Sequence, residues 1–189
     1  MQEYVVNRPD EEAMNRILAQ NPDNAAGVIL RLAWQAGLLR DEIQHLTWAQ
    51  IDFMDRRILL TDRVVPISQE LCTWLEALRE ARNRRSEVVV LSDRDQKPLT
   101  PQSISRLART ALDKEGQTDI RLIDLRHDFV LRQLEAHDWQ YVSRITGVEA
   151  AALRVHFAEH LTEKKVSTKI QRKEAVQIDE FAQIGRAHV

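Results

Sequence analysis

Ala36-Gly37-Leu38-Leu39-Arg40-Asp41-Glu42-Ile43-Gln44-His45-Leu46-Thr47-Trp48-Ala49-Gln50-Ile51-Asp52 is the stretch of this 189-residue chain that says most about its fold. It opens at the end of a helical pattern. Just upstream, Ala26, Ile29, Leu30, Ala33 and Gly37 recur at helical spacing, which predicts a helix from about Asp23 to Leu38. A further helix is expected to begin near Asp41 and to carry Ile43 and Leu46 inward, before Trp48 and Ile51.

Beyond this stretch the period changes to two. Arg57-Ile58-Leu59-Leu60 and Arg63-Val64-Val65-Pro66-Ile67 flank Thr61-Asp62, which predicts a tight hairpin. Glu87 to Leu91 reads as a third short strand. The remaining elements are helical. Asp10 caps an acidic first turn at Glu11 and Glu12, and Ser68 caps a helix with Leu71, Leu75 and Leu78 on one stripe. Thr100-Pro101 pairs a capping residue with proline at the first helical position, and Gly116 stops that helix. Three more helices are expected at about Leu125–Ala136, Asp138–Thr146 and Glu149–Leu161. This order predicts a predominantly helical α+β domain over residues 1–161 with a small three-stranded antiparallel sheet. Residues 162–189 form a tail, basic at first and then amphipathic.

Composition narrows the partners. Apolar residues make up 43% and charged residues 30%, enough for a core, and the net charge of −2 supplies no global field toward nucleic acid or anionic lipid. The lone Cys72 excludes an internal disulfide framework and a cysteine-cluster metal site, and it fits a reducing cytoplasm. No apolar run reaches the ~18–20 residues of a membrane span, and Met1-Gln2-Glu3-Tyr4 lacks a signal-peptide pattern. The expectation is a cytoplasmic protein without cofactor, metal or membrane partner.

The quoted stretch resembles the first motif of the tyrosine recombinases and phage integrases, commonly T-G-L-R-x-x-E-L-x-x-L-x-W-x-D-I-D. Arg63-Val64-Val65-Pro66-Ile67 is similar to that family's R-V-V-P-L strand, and Leu99-Thr100-Pro101 to its helix start. Ile123-Asp124-Leu125-Arg126-His127-Asp128-Phe129 resembles its H-D-L-R-H-T-F box, and Ile145-Thr146-Gly147-Val148 stands where the family has L-L-G-H. Order and spacing match over about residues 10–161. The resemblance implies the catalytic-domain fold of these DNA breaking–rejoining enzymes.

In that family a tyrosine hydroxyl attacks a DNA phosphodiester, leaving a 3′-phosphotyrosyl link and a free 5′-hydroxyl. Two arginines and a His or Lys stabilise the transition-state charge, and a hairpin lysine protonates the leaving oxygen. Carried over one position at a time, most of this chemistry is missing. Leu39 stands at the first arginine position, with Arg40 one residue late, an offset of about 100° on a helix. The first lysine of the chain is Lys97, and Thr61-Asp62 replaces the lysine-bearing loop. Ile123 replaces the His of the box, while Arg126 is retained. Val148 replaces the second His or Trp, and Phe157 occupies the nucleophile position counted from Gly147. The only tyrosines are Tyr4 and Tyr141, neither in the final helix. Phenylalanine keeps the ring and removes the attacking oxygen. Leu39, Ile123, Val148 and Phe157 are all apolar and are expected to converge in a small hydrophobic cluster.

The resemblance therefore implies a catalytically degenerate recombinase-like protein that binds duplex backbone weakly without cutting it. Arg40, Arg63, Arg106, Arg109, Arg126, Lys164 and Lys165 are the candidate contacts. Arg126 has two readings: a phosphate contact, or a structural pair with a carboxylate such as Asp124 or Glu42. The run Arg79, Arg82, Arg84 and Arg85 is either a solvated helix end or a backbone patch. Trp34, Trp48, Trp74 and Trp139 read as core anchors, and His127 as a helix residue. His156 and His160, four apart, lack a third ligand for zinc. A second functional reading is a protein-interaction module that no longer binds DNA; a third is an active enzyme with a shifted site. In the tail, Ala175, Ile178, Phe181, Ala182 and Ile184 make an amphipathic face. Residues 162–189 are thus expected to dock on their own domain or on a second copy.

Overall fold

In the computed structural model, which describes residues 6–82 and 86–161, a helix over Ala25–Gln35 lies at the centre. Every residue from Ala25 to Trp34 is buried. The preceding helix, α1 (Glu11–Gln20), starts at Asp10, whose carboxylate accepts the Ala13 N–H at 3.0 Å. The central α2 is capped by Asn24, which accepts from Gly27 at 2.9 Å, one residue later than the sequence suggests. It also ends earlier, at Gln35, because Gly37 adopts a left-handed φ of +67°. α3 (Arg40–His45) follows immediately.

The sheet has three antiparallel strands in the order β1 (Ile51–Asp52), β2 (Arg57–Leu59) and β3 (Val64–Pro66). Ile51 pairs with Ile58, and Ile58 with Val65, so these buried side chains face the core together. Leu59 pairs with Val64, and the Leu60 N–H donates to Arg63 O at 2.9 Å, closing the tight turn at Thr61-Asp62.

The third strand is not the expected one. Glu87 to Leu91 makes only isolated bridges, Thr47 with Val88 and Leu91 with Pro98, and β1 takes the sheet position. Val89, Val90 and Leu91 are buried consecutively. A two-sided apolar segment packs without alternation, and the bend at Leu46–Trp48 offers it little extended backbone. Two bonds form there, Val89 N–H to Leu46 O and Trp48 N–H to Glu87 O, each 2.9 Å.

α4 (Gln69–Ala81), α5 (Pro101–Lys114), α6 (Leu122–Ala136), α7 (Trp139–Thr146) and α8 (Ala150–Phe157) complete the order, with a short 3-10 turn over Ala158–His160. Ser68, Thr100 and Asp138 each cap as their sequences predict. α5 and α6 pack on α2, so the Arg126 box lies against the loop that leaves α2. Trp34 and Trp48 are buried and Trp74 and Trp139 half-buried, all in the core or against it. No helix of the described residues is long and apolar enough to cross a membrane. The expected docking of residues 162–189 lies outside the described residues.

Candidate functional site

The stretch from Gly37 to Glu42 is held by two buried arginines, each 7% exposed. Glu42 Oε1 accepts the Leu39 N–H at 2.8 Å, which starts α3. The same carboxylate receives Arg63 Nη2 at 2.8 Å and Nη1 at 2.5 Å. Arg63 Nε donates to Ile145 O at 3.0 Å. Arg126, from the second turn of α6, donates through Nη1 to Gly37 O at 2.7 Å and through Nη2 to Thr146 O at 2.8 Å. Both guanidinium groups thus meet the last carbonyls of α7, the end of a helix where positive charge is favoured.

Burial works against the charge of Arg63, yet the hydrogen bonds and charge of Glu42, followed by Asp62, outweigh it and raise its pKa. Arg126 moves the other way. Burial, then the neighbouring Arg63, lowers its pKa below the ordinary value.

This corrects the carboxylate reading of Arg126. It pairs with neither Asp124 nor Glu42. Two residues along a helix point to nearly opposite sides, so Asp124 turns away and accepts the Arg121 N–H at 2.8 Å. Glu42 is taken by Arg63. Nor does Arg126 stand on the surface: both of its terminal nitrogens bind main chain.

Of the four apolar positions, Leu39 and Ile123 share a cleft and Phe157 packs on His127 of α6, and the four do not close into one buried cluster. Leu39 is 39% exposed and Ile123 37%, both on the floor of an open cleft. Phe157 is buried, its ring edge-on to His127 with centroids 5.7 Å apart. Val148 is half-buried against the core, two residues past the Thr146 carbonyl that Arg126 holds. Leu39 stays exposed because the arginine tie at Gly37 and the bond from its own N–H to Glu42 fix its main chain beside the cleft.

His127 carries a pH signature. Burial, opposed by Asp124, lowers its pKa below the usual value of about 6.5. The folded state therefore binds its proton less readily than the unfolded chain, so stability rises with pH and is lost as pH falls below about 6.5. Urea midpoints compared at pH 7.5 and 5.5 are expected to fall on acidification, and His127→Gln is expected to shrink that fall. A variant with the same pH slope as the parent would show that His127 is not its source.

The cleft, of about 800 Å³, lies between α3, α5 and the start of α6. Among the described residues, its floor is Leu38, Leu39, Leu112, Ile120, Leu122 and Ile123, and its rim carries Arg40, Arg106, Arg109 and Arg121 with the acid Asp41. Arg40 Nη1 donates to Ser105 Oγ at 3.1 Å, and Arg109 Nη1 to Thr118 O at 2.8 Å. Arg121 Nε lies 3.6 Å from Asp124 Oδ2. Of the sequence candidates, then, Arg40, Arg106 and Arg109 share one cleft, whereas Arg63 and Arg126 are buried outside its lining. Lys164 and Lys165 lie outside the described residues. In the other arginine run, Arg79 sits over the Phe53 ring and Arg82 donates to Val89 O, while Arg84 and Arg85 lie outside the described residues. No cluster of three His, Cys, Asp or Glu suited to a metal occurs among the described residues.

Two features escaped the sequence. Arg121 completes the rim, and only its place at the start of α6 brings it to Arg40. Arg31 is buried in α2, donating to the carbonyls of Leu18, Asn21 and Gly27 beneath the Trp74 ring, and burial lowers its pKa to about 10. Arginine inside an otherwise apolar helix was the available signal.

A buried helix flanked by this hairpin sheet and the Arg126 box is the catalytic-domain fold of the DNA breaking–rejoining enzymes. The XerA recombinase crystal structure superposes with a TM-score of 0.71 at 19% identity, over 88% of this chain and 65% of that one. The Tn1549 transposon integrase bound to transposon right-end DNA gives 0.70 at 14% identity, over 89% and 66%. The sequence profile of the phage integrase family matches residues 8–173, and the chain belongs to that family. Tyrosine recombinase XerA of Thermococcus onnurineus (strain NA1) is 31% identical over 118 residues, which take in 57% of this chain and 41% of that protein. The chain thus spans well under half of that curated relative.

Proposed function

We propose that this chain serves DNA recombination or integration by contacting duplex backbone without cutting a strand. Phe157 carries the reading. The ring at the nucleophile position is buried against His127 and has no oxygen to attack phosphorus. Tyr141 offers no substitute, for it lies on α7 with its ring 4.1 Å from His137. Leu39 and Ile123 supply no charge stabilisation, and the Thr61-Asp62 turn supplies no lysine to protonate a leaving oxygen. The exposed Arg40 and Arg106 and the half-buried Arg109 remain as backbone contacts, joined in the sequence by Lys164 and Lys165.

Incubation with a nicked suicide duplex is expected to give no protein–DNA adduct that survives SDS; any such adduct overturns the inert reading. Binding itself is read from salt. Three to five phosphate contacts correspond to a slope of about −3 to −4.5 in log affinity against log salt. Arg40→Glu with Arg106→Glu is expected to flatten that slope, and a salt-independent signal would exclude backbone binding.

The second reading, a protein-interaction module, is favoured by the net charge of −2 and by two large apolar side chains exposed in the arginine cleft.

A further inference from the structure

From the arginine cleft we infer a docking site for an acidic, amphipathic segment of a partner protein, one that competes with DNA for the same surface. The inference rests on the reading that positions 39 and 123 no longer hold a phosphate. Its two halves come from different residues. Among the described residues, Arg40, Arg106, Arg109 and Arg121 meet three acids, Asp41 in the lining, Asp113 3.5 Å from Arg109 and Asp124 3.6 Å from Arg121, so the rim keeps an excess of positive charge that favours an anionic ligand. Beneath them, Leu39 and Ile123 expose more than a third of their surface in the same cleft.

Phosphates use the rim and leave that floor wet. Nucleic acids that insert bases into a protein commonly stack them on aromatic rings, and among the described residues no aromatic side chain lines this cleft. Aliphatic walls instead suit a large apolar side chain, the central anchor of a protein interface, with polar contacts around it. Carboxylates flanking such an anchor meet the arginines in paired hydrogen bonds. An amphipathic helix supplies this pattern, with apolar residues at i, i+3 or i+4 and i+7 and acids beside them.

The test uses the full chain and three labelled probes, read by fluorescence polarisation. One is a designed peptide of about four helical turns, with Leu and Phe on one face, Glu and Asp elsewhere and no basic residue. The second has the same composition with the apolar residues scattered around the helix. The third is a short DNA duplex. The patterned peptide is expected to bind about tenfold or more tighter than the scattered one. Leu39→Ser with Ile123→Ser is expected to erase that preference while leaving duplex affinity unchanged, because the floor touches no phosphate. Arg106→Glu is expected to weaken both peptide and duplex, and unlabelled patterned peptide to displace the duplex.

Equal binding of the two peptides overturns the inference. So does a double serine variant that keeps the preference, or one that loses duplex affinity, which would make the cleft a DNA-reading surface. Since Leu39 and Ile123 are exposed, the double variant is expected to keep the parent melting temperature. Peptide binding is read without any cleavage, so an SDS-stable adduct would end the inert reading and leave this result standing or falling alone.

Discussion

Replacing Arg126 by methionine is expected to destabilise the protein by about 2–6 kcal/mol, since two buried carbonyls would lose their donors at about 1–3 kcal/mol each. For a domain of this size that is a fall in Tm of roughly 5–15 °C. The carbonyls belong to Gly37 and Thr146, and methionine keeps the packing of the stem while removing the bonds. Arg106→Met provides the contrast: Arg106 is exposed, and surface changes of this kind usually stay within about 0.5 kcal/mol. Thermal melts of the two variants beside the parent decide the matter. Equal melting temperatures would mean that Arg126 is held for a ligand and not for the fold. The experiment bears on the proposed function, in which Arg126 serves the fold and not a phosphate.

Gly37→Ala is expected to cost about as much by a different route. Gly37 has φ +67°, where an L side chain costs roughly 1–2 kcal/mol. A Cβ there would also stand 2.2 Å from Cδ1 of Phe129, a core ring of α6 that is 2% exposed. Overpacking adds about 1–3 kcal/mol, so the total is about 2–5 kcal/mol. Gly116→Ala separates the two contributions. Its φ is +71°, and nothing lies within 4 Å of the added Cβ, so only the backbone cost applies. Urea midpoints should therefore fall much further for Gly37→Ala than for Gly116→Ala. Equal falls would show that the Phe129 ring yields freely and that the α2–α3 loop is less tightly seated on α6 than its contacts indicate.

Both predictions concern the same joint. The carbonyl of Gly37 is held by Arg126 and its α-carbon lies against Phe129, so one loop is fixed from two positions on α6. Leu39, two residues on, inherits its place at the cleft from that joint. The place of Leu39 in the cleft is thus set in part by a buried arginine.

The amino-acid sequence alone determined the features that depend on neighbours three or four residues away. Asp10, Ser68, Thr100 and Asp138 cap their helices because each side chain reaches an N–H three residues on. Thr61-Asp62 turns because the flanking strands alternate with a period of two. The family is legible for the same reason, since its motifs are short and ordered along the chain. The tertiary structure decided what those motifs do. Arg126 and Gly37 are 89 residues apart, and Arg63 and Ile145 are 82 apart. Nothing local distinguishes an arginine bound for a buried carbonyl from one bound for a phosphate. The same holds for Val89 to Leu91, whose apolar run specifies burial but not the strand it would pair with. Backbone pairing and charge partners are chosen by what the fold brings near, and only the folded chain contains that choice.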